Sequence, residues 1–245
     1  MHALSELEFV EIWERGQGRH PIDQALAILV SAMPDRPLAH LARLSIGERD
    51  RALLDVYART FGPRFDAVAS CVRCHDALEF SFRVDDVRVA AAENREHGCR
   101  FSEDAYALEY RLPDSVDLAA IVARGAASLA AARALLVERC VLSAGNADGP
   151  VAATDLPPRI VDRLAAHMQA ADPQAEVALQ VTCPSCGHAW QTGFDVVTFL
   201  WAKIVVRARQ LLREVHLLAR AYGWRESDIL SLSPARRRHY LALVT

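Results

Sequence analysis

No apolar run in this 245-residue chain reaches the ~20 residues a helix needs to cross a bilayer, so no membrane partner is expected. The opening MHALSELEFVEIWERG is acidic and amphipathic where a secretory leader needs a basic segment followed by an apolar block. No signal peptide is expected. Basic charge is not in excess: 28 Lys and Arg stand against 31 Asp and Glu, for a net charge of −3. That balance argues against a default nucleic-acid partner. The chain also lacks a Walker-type phosphate loop, a GxSxG elbow, a dinucleotide fingerprint, an HExxH pair and an H-x-E…CxxC arrangement. Neither catalytic residues nor a small-molecule substrate are therefore expected. What remains is an ordinary globular composition, 52% hydrophobic and 24% charged, on a chain long enough to bury a real core.

Four of the six cysteines fall in two pairs, Cys71-Val-Arg-Cys74 and Cys183-Pro-Ser-Cys186. Without secretion signals, such pairs favour free thiols in a reducing compartment, and the expected location is cytoplasmic. Two cysteines two residues apart on a tight turn form a knuckle that can aim both thiolates at one metal ion. Gly187, just past Cys186, permits the positive φ that such a turn often needs. One knuckle is half of a tetrahedral site, and the other pair supplies the second half. The expected cofactor is one structural zinc ion held by Cys71, Cys74, Cys183 and Cys186. The alternatives are two partial sites using His75 or His188, and a redox use of either pair. Neither pair opens a helix after a strand, as a redox motif would. Cys99 and Cys140 read as small buried thiols.

Taken in order, residues 1–63 read as three helices. Ser5-x-x-Glu8 and Ser45-x-x-Glu48 are capping boxes, Leu4 and Phe9 form a hydrophobic staple, and Pro21 suits a first helical turn. Residues 64–113 hold the first knuckle and two alternating runs, Leu78 to Val84 and Tyr106 to Leu112, which could pair in one antiparallel sheet. Residues 114–176 read as a helical insertion capped at Asp114 or Ser115, broken near Gly125, with an exposed Gly- and Pro-rich loop over 143–158. Residues 177–198 hold the second knuckle and its strands. Over 199–245 Asp195 caps a long helix that runs to Gly223, and Ser233-Pro234 opens a last one.

The two knuckles read as a repeat. Cys71 to Val87 and Cys183 to Phe199 both place a large apolar residue (Leu78, Trp190) and a phenylalanine (Phe82, Phe194) at matching offsets. The fold class expected is α+β, mainly helical and one compact domain overall. It carries a small antiparallel, zinc-ribbon-like β module made from two CxxC hairpins.

Three stretches carry a further resemblance: LSELEFVEIWERGQGRHPIDQALAIL, SIGERDRALLDVYARTFGPRFDAVASCVRC, and FLWAKIVVRARQLLREVHLLARAYGWRESDILSLSPARRRHYLALV. With YRLPDSVDLAAI and CPSCGHAWQTGFDVVTFLW between them, the chain resembles the T-even phage-type baseplate hub assembly chaperone family of contractile phage tails and phage-like contractile injection systems. The ending YGWRESDILSLSPARRRHYL carries it most specifically. The resemblance implies a non-enzymatic factor with a baseplate hub or neighbouring baseplate protein as partner. The expected partner surface is Trp224, Ile229, Leu230, Arg236, Arg237 and Tyr240, since Trp, Tyr and Arg favour interface hot spots. A zinc-ribbon nucleic-acid-binding or regulatory protein, using the run Arg236-Arg237-Arg238, is the alternative.

Overall fold

The computed structural model describes residues 1–89, 98–125 and 128–244. The helices are α1 (Glu6–Gly16), α2 (Pro21–Ala32), α3 (Leu38–Leu41), α4 (Ile46–Phe61), α5 (Val84–Val87), α6 (Ser115–Ala123), α7 (Leu129–Cys140), α8 (Pro158–Ala171), α9 (Val196–Tyr222), α10 (Glu226–Ser231) and α11 (Pro234–Ala242). The strands are β1 (Arg64–Ser70), β2 (Ala77–Arg83), β3 (Cys99–Glu103), β4 (Tyr106–Tyr110), β5 (Val141–Asn146), β6 (Gly149–Pro150), β7 (Val177–Thr182) and β8 (Ala189–Phe194). Among the described residues no helix is long and apolar enough to cross a membrane.

The chain gathers into two compact units, each assembled from pieces distant in sequence. The first comprises Met1–Pro37, Leu53–Pro63 and Asp195–Thr245, and the second Leu38–Ala52 and Arg64–Phe194.

The first unit is helical and centred on α9. Both hydrogen bonds of the Ser5/Glu8 capping box form, at 3.3 and 2.7 Å, and Leu4 and Phe9 are buried at the staple positions. The apolar stripe of α9 buries Leu200, Ile204, Leu211 and Leu218 at helical spacing. Phe9 and Ile12 of α1, Ile28 and Leu29 of α2, and Ile229 of α10 are buried in the same unit. Each fully buried aliphatic side chain of this kind stabilises by about 1.5–3 kcal/mol relative to exposure. Two charged residues lie inside, Arg237 and Glu214. The Arg237 guanidinium of α11 is 1% exposed, donating to Glu214 of α9 at 2.5 Å and pairing with Glu6 of α1 at 3.2 Å. Arg207 pairs with Glu6 at 2.5 Å and lies 3.9 Å from Glu214.

Among the described residues the second unit holds all the strands. β1 pairs with β2 and β7 with β8 as separate antiparallel hairpins, while β3-β4-β5-β6 form a four-stranded antiparallel sheet. Phe101, Leu108 and Tyr110 on that sheet share a core with Val137 of α7 and Ile160 and Leu164 of α8. This pairing corrects two expectations. The run Leu78 to Val84 does not pair with Tyr106 to Leu112, because β2 takes β1 and β4 lies between β3 and β5. Nor is 143–158 a loop: Ser143 to Asn146 complete β5, the chain turns into β6, and Leu156 is 6% exposed. The turn residues Asn146 and Gly149 close a hairpin here, with Asn146 Oδ1 accepting from Asp148 N at 2.9 Å. The helical stretch from Asp114 breaks where expected, with Gly125 at φ +56, but ends at Cys140, where β5 begins. The polar residues between the two runs contain β3.

Two close approaches fix this unit. Gly47, in the first turn of α4, donates its N–H to the buried Asp172 carboxylate at 2.8 Å. A Cβ there would sit 2.0 Å from Asp172 Oδ1. Gly47→Ala is therefore expected to destabilise by about 1–3 kcal/mol, despite alanine's better helix propensity, in a urea melt. An unchanged melt would mean that Asp172 moves aside freely.

Asp117 of α6 is fully buried. It accepts from Arg111 at 2.5 and 2.8 Å, from Arg139 at 2.8 Å, and from the Asp114 backbone at 3.1 Å. Burial pushes its pKa up, but the hydrogen bonds from Arg111, Asp114 and Arg139 outweigh it and hold the carboxyl well below the usual range. Its contribution is complete above the ~3.9 of an unfolded aspartate and is lost as pH falls through the folded value. Acid should therefore erode stability below about pH 4 through this group. Asp117→Asn should cost about 2–3 kcal/mol at neutral pH and flatten that acid dependence. An acid limb of equal slope in the variant would assign the effect to other carboxylates.

Candidate metal centre

The repeat seen in sequence is a repeat in backbone. In the β1–β2 hairpin Ser70 faces Ala77 across the turn, and in the β7–β8 hairpin Thr182 faces Ala189 at the same place. Each knuckle closes with the same two bonds. Cys71 N donates to Asp76 O and His75 N to Cys71 O, both at 2.9 Å; Cys183 N donates to His188 O at 2.8 Å and Gly187 N to Cys183 O at 2.9 Å. The residue after the second cysteine is left-handed in both, Gly187 at φ +68 and His75 at φ +63. Glycine adopts that conformation without strain, whereas a side chain there costs ~1 kcal/mol, so the first knuckle holds His75 against its preference.

The two hairpins bring their turns together. Phe65 and Phe82 stack at 5.0 Å, and Phe194 meets both edge-on at 5.2 and 5.4 Å. Nearer the turns, Leu78 and Val181 are buried with Cys71 and Cys183, against half-buried Phe80 and Trp190. The four thiols converge across the hairpins: Cys71 Sγ lies 3.7 Å from Cys186 Sγ, and Cys74 Sγ 3.6 Å from Cys183 Sγ. All four ligand atoms lie within 4.8 Å of one another. Tetrahedral zinc with Zn–S bonds of ~2.3 Å places its sulfurs about 3.8 Å apart, so the thiols present fit the ion. A disulfide needs ~2.05 Å, and all six cysteines are free.

The thiols cannot share this space as they would in water. Hydrogen bonds from the backbone of Cys74 and then Arg73 hold the Cys71 thiol down to about 6, with burial opposing. For Cys74 a backbone bond from Asp76 lowers the pKa, yet burial and the sulfurs of Cys186, Cys183 and Cys71 push it up to about 12. The Cys71 thiolate forms readily and Cys74 then resists ionising, a conflict that a divalent cation removes.

Neither histidine joins the set: His75 is exposed and His188 stacks on Trp190 at 6.1 Å. Among the described residues the cluster that could hold a metal is the four cysteines alone, and all four positions of a tetrahedron would be protein sulfur. Such a site orders structure and leaves no position for a substrate. Cys140 is buried, and burial with the Asp117 charge pushes its thiol up to about 12; Cys99 is half-buried. Both lie outside the cluster.

The expected partner surface is divided by the structure. Ile229, Leu230 and Arg237 are 0%, 6% and 1% exposed, so they belong to the interior of the first unit and not to a surface. Arg237 turns inward because Glu6 and Glu214, distant in sequence, meet it there. Trp224 and Tyr240 are half-buried, their rings 4.8 Å apart and perpendicular, and Arg236 is exposed.

Comparison with curated proteins and with solved structures gives no match. The family described as T4 bacteriophage base plate protein matches residues 16–201. That span covers both knuckles but stops at Trp201, short of the C-terminal stretch on which the sequence resemblance leans most. With most of its length matched, the chain belongs to the T4 bacteriophage base plate protein family.

Proposed function

We propose that this chain is a non-enzymatic assembly chaperone, acting in the cytoplasm of the producing cell. It binds the baseplate hub, or a baseplate protein next to it, of a contractile phage tail or phage-like contractile injection system. Family membership over residues 16–201 is the observation that carries this reading. Its support is a metal-ligand set with no open position and helices with much exposed surface, which suit binding better than chemistry. In this reading Cys71, Cys74, Cys183 and Cys186 hold one structural zinc ion in a ribbon made of two hairpins. The nucleic-acid alternative loses ground because Arg237, the middle of its basic run, is buried and paired.

Co-expression with the hub protein encoded in the same gene cluster is the direct test. The tagged chain should co-purify with the hub, and a deletion strain should fail to complete baseplates. No association, together with normal baseplates in the deletion strain, would overturn the reading.

A further inference from the structure

The chain's charge is unevenly placed. Residues 199–245 hold nine Lys and Arg and three Asp and Glu, although the whole chain is acidic. Arg207 and Arg237 are used internally, with Glu6 and Glu214. Most of the others stand on α9. At 100° per residue, Lys203, Val206, Arg209, Arg213, Leu217 and Arg220 fall within an arc of about 120°. All six are exposed, Val206 at 68% and Leu217 at 39%. From Lys203 to Arg220 the stripe runs about 25 Å. The one carboxylate on α9, Glu214, points inward and is 8% exposed. Among the described residues none of the four cations has an ion-pair partner. A solvated helix face ordinarily mixes charges at i and i+4, which stabilises it by about 0.2–0.5 kcal/mol per pair. Here like charges face one another at Arg209 and Arg213, and that spacing works against the isolated helix.

We infer that this face of α9 is a docking surface for an acidic amphipathic segment of another baseplate protein. Carboxylates at helical spacing would meet the four cations, and aliphatic side chains between them would cover Val206 and Leu217. Duplex or single-stranded nucleic acid fits less well. Between Lys203 and Arg220 the arc holds no Phe, Tyr or Trp ring for a base to stack on, half-buried Phe199 lying one turn before it and exposed His216 just past its edge, and a phosphate backbone gives Val206 and Leu217 nothing apolar to meet. The stripe lies beyond Trp201, outside the residues of the family match. The inference rests on the baseplate reading for the class of partner, but not on the hub being that partner.

The experiment compares the full chain with Arg209→Glu/Arg213→Glu/Arg220→Glu, and with the milder triple glutamine variant should the first melt early. Each is titrated with the individually purified baseplate proteins encoded beside it, the hub included, and with a short duplex DNA, at low and high salt. One baseplate protein should bind the natural chain. Its affinity should fall steeply with salt and by at least about tenfold in the glutamate variant, with a smaller loss for glutamine. Unchanged affinity in both variants overturns the inference, as does the absence of any bound baseplate protein. Tighter binding to DNA that disappears in the variants also overturns it and makes the stripe a nucleic-acid surface. If the protein lost in the variants is not the hub, the stripe stands and the hub reading falls. If the hub binds natural and variant chains alike, the reverse holds.

Discussion

Serine at Cys183 should strip the metal and leave the second unit several kcal/mol less stable, since a structural zinc site contributes folding free energy directly. Cys183 is the ligand to choose: it is 1% exposed, within 3.6 Å of Cys74 Sγ, and in a different hairpin from that thiol. A hydroxyl there is a poor zinc ligand, and the three remaining thiols would stand crowded without a shared cation. Purified protein should carry about one zinc ion per chain, and the variant close to none. A strong chelator should lower the melting temperature of the natural chain to that of the variant. Cys99→Ser is the control, because that thiol lies outside the cluster and should change metal content little. Metal-free natural protein that melts as high as the zinc-loaded form would overturn the assignment.

Arg237→Ala should be the most damaging single change in the first unit, at about 3–5 kcal/mol. The side chain is 1% exposed and stands between Glu214 and Glu6, both largely buried. Its removal leaves the Glu214 carboxylate inside the protein with the Arg207 guanidinium 3.9 Å away, and Glu6 with Arg207 alone at 2.5 Å. It also opens a void the size of a long side chain. Arg236→Ala and Arg238→Ala, at exposed neighbours on the same helix, should stay within about 0.5 kcal/mol of the natural chain. Equal urea midpoints for all three would show that the buried group tolerates the loss, through water or rearrangement. The prediction separates one arginine of a run of three that composition treats alike.

The cysteine cluster was legible in sequence because its signal is local. A CxxC knuckle is set by six residues, and the matching offsets of Leu78 with Trp190 and of Phe82 with Phe194 announce two copies of one hairpin. The caps at Ser5, Ser45, Asp114, Asp195 and Ser233 were legible for the same reason. Strand pairing was not. β1 reads RFDAVAS, in which small residues blur the alternation that Phe65 begins, so β2 looked for its partner further along. The hairpin of β5 and β6 was hidden because Asn, Asp and Gly make tight turns and open loops alike. Arg237 was misplaced because an arginine beside two others reads as solvated, and its partners lie 23 and 231 residues away. The uneven charge of the tail was visible in the sequence, but the whole-chain balance concealed it.

The distance along the chain between the two knuckles has a consequence for the order of events at the ribosome. Cys71 and Cys183 are 112 residues apart. At a synthesis rate of about 5–20 residues per second, the first pair of thiols leaves the exit tunnel roughly 6–20 s before the second. Throughout that interval the Cys71 and Cys74 thiols would stand without their two partners, open to oxidants. Residues 84–176, which supply the four-stranded sheet and helices α5 to α8, are made in the same interval. Under the proposed zinc site, capture of the ion by all four cysteines would wait until Cys186 is made, when little of the second unit remains to be synthesised.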